Sequence, residues 1–578
     1  MSTTPASVYE WNDLPWKTIE QRVFKLQKRI YRASRRGDQP TVHKLQRLLM
    51  KSWSTKCVAV RKVTQDNQGK KTAGVDGVKA LTPPQRQHLV QTLQLTEQAL
   101  PTRRVWIPKP NSTEKRPLGI PTIRTRAEQT LVKLALEPEW EAQFEPNSYG
   151  FRAGRSCHDA IEAIFTAIKS KPKYVLDADL AQCFDRINHQ ALLTKLHTFP
   201  TLRRAIRAWL QAGVLDGTEL QPTTEGASQG APLSPLLANV ALHGLETTIT
   251  SAFPSKRQHH GQQQRWQPIV IRFADDFVVL HPDRAIIEQC QRIATEWLAD
   301  MGLELKPSKT RITHTLHLHD GNVGFNFLGF NVRQYPVGKT HTGKTGGYGR
   351  TTVPLGFKTI IKPSKEAIKR HTHAIGTMIK SHRTMPQHIL IEHLNPLIRG
   401  WSRYYATVAS KAIFARIECD IYRKLRYWAK RRHPQKASSW VARKYWRLET
   451  GRWDFGTSEG IQLQHHTKTP IRRHTKVRGT KSPFDGDWPY WASRRSDYIG
   501  TPSRIASLLK RQHGKCAWCG LYFREEDLAE MDHRIPTARG GMHRAVNWQL
   551  IHRHCHDQKT AQDGSHRVRG TDDNSQID

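Results

Sequence analysis

A chain of 578 residues with 37% hydrophobic content is too long for one ordinary domain and too apolar for a mainly disordered one, so about three to five domains are expected. Its 91 Lys and Arg against 50 Asp and Glu leave a formal net charge of +41, which argues against a merely soluble basic protein and for a polyanionic partner such as a phosphate backbone. Among the 8 Cys, five are scattered while Cys516, Cys519 and Cys555 gather near the end, a pattern of a reduced compartment with one local metal site rather than a secreted disulfide framework.

The first residues hold acids and no apolar stretch of a signal peptide, and no run approaches the roughly 18 apolar residues of a membrane span. A soluble, intracellular protein without a membrane partner is expected. Residues 16–62 read as two basic helices joined by a turn at Gly37-Asp38-Gln39-Pro40, within an N-terminal extension over 1–62. From 63 to 335, helical stretches alternate with short β-rich runs, an α+β pattern. Residues 336–356 are rich in Gly and Thr and read as a loop or linker. Residues 357–450 are basic and aromatic with helical spacing, 451–505 show no clear periodicity, and 506–578 hold a Cys-x-x-Cys and a polar tail.

The segment 269–280 (IVIRFADDFVVL) places two adjacent acids between apolar β-rich runs, as in a hairpin with carboxylates at its turn. Buried strands rarely carry such pairs unless a cation such as Mg²⁺ compensates them, and two-metal phosphoryl transfer needs carboxylates from separate strands. Taken alone, Asp275-Asp276 reads more readily as a polar turn. A second β-rich run ending in acids, 174–187 (YVLDADLAQCFDRI), supplies a partner.

Together these segments resemble the palm motifs of reverse transcriptases. The resemblance continues through 226–239 (GASQGAPLSPLLAN), a fingers hairpin at 103–121, 301–311 (MGLELKPSKTR) and 324–330 (GFNFLGF). It implies that Asp179 and Asp275 ligate two Mg²⁺ ions with Leu180 at the same site, and that Asp276 supports them. Lys109, Arg116 and Gln229 fall at nucleotide-binding positions, Lys309 is a candidate to protonate the leaving pyrophosphate, and Phe184 sits where a ring excludes a ribonucleotide's 2′-hydroxyl. On charge and residue type alone, Lys109 and Arg116 read as a basic loop, Lys309 as a surface lysine and Phe184 as a core residue. This chain has Phe273, Leu180 and Ala227-Ser228 where the family usually has Tyr, Ile and Thr-Pro; none of these removes an implied metal ligand.

The segments 72–77 (TAGVDG), 149–158 (YGFRAGRSCH) and 391–405 (IEHLNPLIRGWSRYY) are similar to the proteins encoded within bacterial group II introns, whose helical thumb doubles as a maturase domain. Arg399, Arg403, Tyr404 and Tyr405 then become candidates for phosphate contact and base stacking. They read otherwise as a solvated helix with core aromatics.

Near the C-terminus, Cys516-x-x-Cys519 and His552-x-x-Cys555 have the spacing of a structural tetrahedral Zn²⁺ site, with His554 open as a substitute for His552. Between and after them, Asp532-His533, Asn547 and Cys555-His556 resemble HNH endonucleases of the ββα-metal type. The resemblance implies His533 as base, Asn547 as the group orienting it, and Asp532 with His556 as ligands to Mg²⁺ or Mn²⁺.

The fold expected is therefore multidomain α+β: right-hand polymerase fingers and palm over 63–335, thumb over 357–450, a DNA-binding region over 451–505 and an HNH domain over 506–578. Intron RNA, target DNA and deoxynucleoside triphosphates are the implied partners, with a bacterial cytoplasm, near the nucleoid, as the implied location. An RNA-binding splicing maturase with vestigial catalysis is the alternative.

Overall fold

The computed structural model describes residues 10–108, 115–259, 262–338, 342–344, 354–449, 452–498, 501–524 and 527–563. It is a mixed α/β structure built on antiparallel sheets. The central sheet has four strands in the order Arg311–His314, Tyr174–Ala178, Asp276–His281 and Ile269–Phe273, all neighbours antiparallel. The two middle strands are almost wholly apolar on both faces because helices cover the sheet; Leu176, Phe277, Val278 and Val279 are fully buried.

The N-terminal extension holds three helices, Trp16–Arg35, Gln39–Lys51 and Trp53–Arg61, where the sequence suggests two. The expected turn at Gly37 is present, and Asp38 caps the second helix by accepting from the Thr41 amide at 3.1 Å. The extra break falls at Ser52, whose extended backbone interrupts a run with no Gly or Pro to mark it. These helices pack on Ile123–Gln143 and share one continuous core with the palm helices.

A second sheet pairs Thr102–Pro108 with Lys115–Ile120 and joins the short strands Val214–Asp216 and Glu219–Gln221. A third runs Phe325–Phe327, Phe330–Pro336, Phe357–Pro363. The last two strands pair over their whole length, from Phe330 with Pro363 to Pro336 with Phe357, so the Gly- and Thr-rich stretch read as loop or linker connects the two arms of one hairpin.

Beyond the hairpin, Lys365–Ser381, Gln387–Tyr404, Lys411–Arg432 and Ser438–Tyr445 form a helical unit with its own core around Leu390, Leu394, Ile417 and Trp428. The C-terminal unit has a two-stranded sheet, Ala529–His533 with Trp548–His552, followed by the helix Arg553–Asp563. Among the described residues no helix is long and apolar enough to cross a membrane.

Candidate active sites

The turn between the edge strand Ile269–Phe273 and its neighbour Asp276–His281 consists of Ala274 and Asp275, because Phe273 pairs directly with Asp276. Ala274 takes a left-handed backbone conformation, φ 57°, which costs a non-glycine residue about 1–2 kcal/mol. Two neighbours hold it there. The buried Arg272 guanidinium donates to the Ala274 carbonyl and to Asn239 Oδ1, both at 3.1 Å, and Asn239 Nδ2 donates to the Gly150 carbonyl at 2.8 Å. The segments 149–158 and 226–239, read from sequence as family motifs, thus meet at the back of the acidic turn.

Asp179 lies at the end of the adjacent strand, within hydrogen-bond reach of Asp276. Burial pushes the carboxyls of Asp275 and Asp276 above their usual range, and the neighbouring carboxylates push them further. Lys309 sets its ammonium on Asp179 Oδ2, and the three acids raise its pKa. Arg116 is close enough to pull the Asp275 pKa back down. Three crowded acids facing two cations form a donor set of hard oxygens, the kind that divalent cations occupy.

Asp177 points elsewhere: it pairs with Arg311 at 3.1 Å, and burial lifts its carboxyl to about 6. Leu180 is buried, so only its main-chain carbonyl has the chemistry of a ligand. Phe184 is half-buried with its ring edge-on to exposed Phe151, and its carbonyl accepts from the Ala227 amide at 2.6 Å. Gln229 ties the fingers hairpin to this loop through its main-chain oxygen, which accepts from the Gly119 amide at 2.8 Å. Lys109 lies outside the described residues.

In the C-terminal unit, Cys516, Cys519, His552 and Cys555 offer ligand atoms that all lie within 4.8 Å of one another, every one of them buried. Three thiols and one imidazole at this spacing fit a tetrahedral ion with bonds of about 2.0–2.3 Å. The geometry selects His552 over His554. His552 Nδ1 approaches Cys519 Sγ at 3.4 Å while its Nε2 meets the Asp527 carboxylate at 3.4 Å. A carboxylate behind a histidine in this way fixes which ring nitrogen is free to ligate. His554 turns away to Glu20 of the first helix, at 3.7 Å.

The neighbouring HNH-like constellation is only partly as the sequence suggests. Asp532 and His556 do converge, at 3.8 Å, and Lys559, from the Cys-His-x-x-Lys run, pairs with Asp532 Oδ2 at 3.1 Å and donates to the His533 carbonyl at 2.9 Å. The group beside His533 is not Asn547 but His543, whose Nδ1 lies 3.0 Å from His533 Nε2. Asn547 instead closes the loop: its side chain accepts from the Ile535 amide at 3.0 Å and donates to the carbonyls of Ile535 and Met542 at 2.9 and 3.0 Å. Asn547 therefore contacts the loop backbone rather than His533, and nothing in the sequence marked His543 as the neighbour of His533.

A second correction concerns the thumb. Tyr405 is buried and Tyr404 largely so; their hydroxyls donate to the carbonyls of Gly329 and Leu328, at 3.1 and 3.0 Å, and both rings pack on Phe330. Both rings are thus engaged within the protein rather than presented together as a stacking face. They fasten the thumb to the palm strand pair. Arg399 donates to Gln464 at 3.2 Å and Arg403 is half-buried.

Four stretches match described families: the N-terminal domain of reverse transcriptase over 11–93, reverse transcriptase (RNA-dependent DNA polymerase) over 107–332, the group II intron maturase-specific domain over 368–446, and HNH endonuclease over 516–562. Protein YkfC of Escherichia coli (strain K12) is 31% identical over 310 residues, covering 47% of this chain and 78% of that protein. The chain belongs to the group II intron-encoded reverse transcriptases. Group II intron-encoded protein LtrA of Lactococcus lactis subsp. cremoris is 27% identical over 363 residues, 53% of this chain and 59% of that protein. Maturase-like protein 1 of Euglena gracilis is 30% identical over 245 residues, 40% of this chain and 51% of that protein. As in that family's architecture, this chain carries reverse transcriptase, maturase and HNH endonuclease domains in order.

Proposed function

We propose that the protein is the multifunctional product of a group II intron. It copies RNA into DNA, helps its intron RNA fold for splicing, and nicks target DNA so that the exposed 3′-hydroxyl primes the copy. The observation that carries this reading is the convergence of Asp179, Asp275 and Asp276 at one end of the palm sheet, in a chain that also holds a ββα unit with Asp532 and His556 together.

Two Mg²⁺ ions, held by Asp179, Asp275 and the Leu180 carbonyl with Asp276 in support, would activate the primer hydroxyl and steady the leaving pyrophosphate. Around them Arg116, Lys109 and Gln229 receive the triphosphate, Phe184 rejects a 2′-hydroxyl, and Lys309 stands close enough to hand a proton to pyrophosphate. In the nuclease His533 takes the proton of the attacking water, and Asp532 with His556 would hold Mg²⁺ or Mn²⁺. The Cys516, Cys519, His552, Cys555 group is a structural Zn²⁺ site. Segments 357–450 and 451–505 are assigned to intron RNA and target DNA, in a bacterial cytoplasm near the nucleoid.

The test separates the two chemistries. On intact duplex DNA with a paired RNA template, His533→Ala should make no cDNA, yet it should extend a pre-nicked DNA as well as the wild type does. Equal synthesis by wild type and His533→Ala on intact DNA would contradict nick-primed copying.

A further inference from the structure

The burial of Tyr404 and Tyr405 leaves open where an aromatic side chain meets nucleic acid on the thumb, and another face of the same helical unit provides one. A cleft of about 1120 Å³ opens between the helices Lys365–Ser381 and Lys411–Arg432. Six of its twelve lining residues are Lys or Arg and none is acidic. Lys380, Arg383 and Arg431 form no ion pair among the described residues.

The cleft is also aromatic. Tyr427 is 80% exposed, the most exposed large hydrophobic side chain of those described. Beside it Trp428 is buried, held by its Nε1–H to the His382 carbonyl at 2.9 Å, with the Arg432 guanidinium 4.7 Å above its ring. Arg432 is itself fixed by donating to the carbonyls of Arg383 and Met385, at 2.7 and 3.1 Å. Gly376 faces the aliphatic stem of Lys424 across the cleft. The result is a fixed wall with a projecting ring at its mouth and uncompensated cations on the rim.

We infer that this cleft binds an unpaired RNA segment, one base stacked on Tyr427 and its flanking phosphates on Arg383 and Arg431. A ring can stack only on a base whose face is free, which favours a loop or bulge over a helix, and the cation rim matches phosphates on both sides of one nucleotide. RNA is preferred over DNA because the cleft lies within the residues matching the maturase-specific domain, so the assignment rests on the RNA-binding reading above.

The probe is a single-stranded RNA carrying 5-iodouridine, with excess unlabelled primer–template present to occupy the polymerase cleft. Photocrosslinking should attach it to Tyr427. Tyr427→Ala should lose the crosslink and weaken binding about ten-fold, while Tyr427→Phe keeps both. Removing two phosphate contacts with Arg383→Gln/Arg431→Gln should flatten the slope of log affinity against log salt by about 1.4. Tyr427, Arg383 and Arg431 are all exposed, so these substitutions leave the core untouched. Crosslinks confined to other peptides with unchanged Tyr427→Ala affinity would overturn the cleft assignment. Equal, Tyr427-dependent binding of single-stranded DNA would reassign the cleft to DNA, and equal binding of duplex RNA would remove the unpaired base. Failure of wild type to bind any RNA would instead be a failure of the maturase reading.

Discussion

Gly150 and Ala274 touch backbone to backbone: a Cβ on Gly150 would sit 2.3 Å from the Ala274 amide nitrogen, inside any permitted contact. Gly150 is thus the seat on which the acidic turn rests, and Asn239 grips the same residue by its carbonyl. Gly150→Ala must push the turn outward. A displacement of about 1 Å at reacting groups costs on the order of 10²-fold in rate. Single-turnover primer extension should fall by about that factor, while RNA binding stays at the wild-type level.

The zinc-type cluster predicts an asymmetry between two neighbouring histidines. His552→Ala removes a buried ligand and should lower bound zinc, measured by atomic absorption, from about one equivalent to near zero. His554→Ala should keep the metal, since its ring faces Glu20 instead. DNA nicking should follow the metal content across the two variants.

Acid should weaken the thumb. His371 and His466 meet at 2.8 Å in the buried joint beside Trp401; burial, with His466 adding to it, holds His371 down to about 3, and burial, opposed by Glu418, holds His466 down to about 4. Their folded-state values lie below the ordinary 6.5. The stability they contribute is therefore present above pH 6.5 and drains away as pH falls toward 4. Urea midpoints followed by tryptophan fluorescence should drop between pH 7 and pH 4.5. The double variant His371→Phe/His466→Leu should drop distinctly less, and parallel curves would count against the pair.

Phe184 stands edge-on to Phe151 with its main chain tied to Ala227. Phe184→Ala should open space for a 2′-hydroxyl, raising ribonucleotide incorporation relative to deoxynucleotide while the rate with deoxynucleotides changes little. Competition assays with mixed nucleotides measure this ratio directly.

The parts of the molecule legible in sequence are those where chemistry sits in a short run. Two acids between apolar strands, and Cys and His pairs two residues apart, keep their meaning without tertiary context. Residues that matter through distant contacts do not. Tyr404 and Tyr405 look like a stacking face on their own helix, and only the carbonyls of Leu328 and Gly329, 76 residues away, explain why they are buried. Asn547 reads as a partner for His533 because the two are close in a motif, yet its amide closes the 535–547 loop. The stretch after Pro336 has a linker's composition, and only the pairing of the flanking strands makes it a hairpin loop. Tyr427 carries no local mark at all, since its exposure depends on where two helices cross.

In the function proposed above, Asp275 and Asp276, with Asp179, form the metal-dependent centre of an RNA-copying polymerase. Primer extension on an RNA template with deoxynucleotides and Mg²⁺, comparing wild type with Asp275→Ala/Asp276→Ala, tests it most directly. Wild type should yield full-length product, and the folded double variant none. Synthesis by the double variant, or none by well-folded wild type with or without intron RNA, would contradict it, and the second result would leave an RNA-binding maturase.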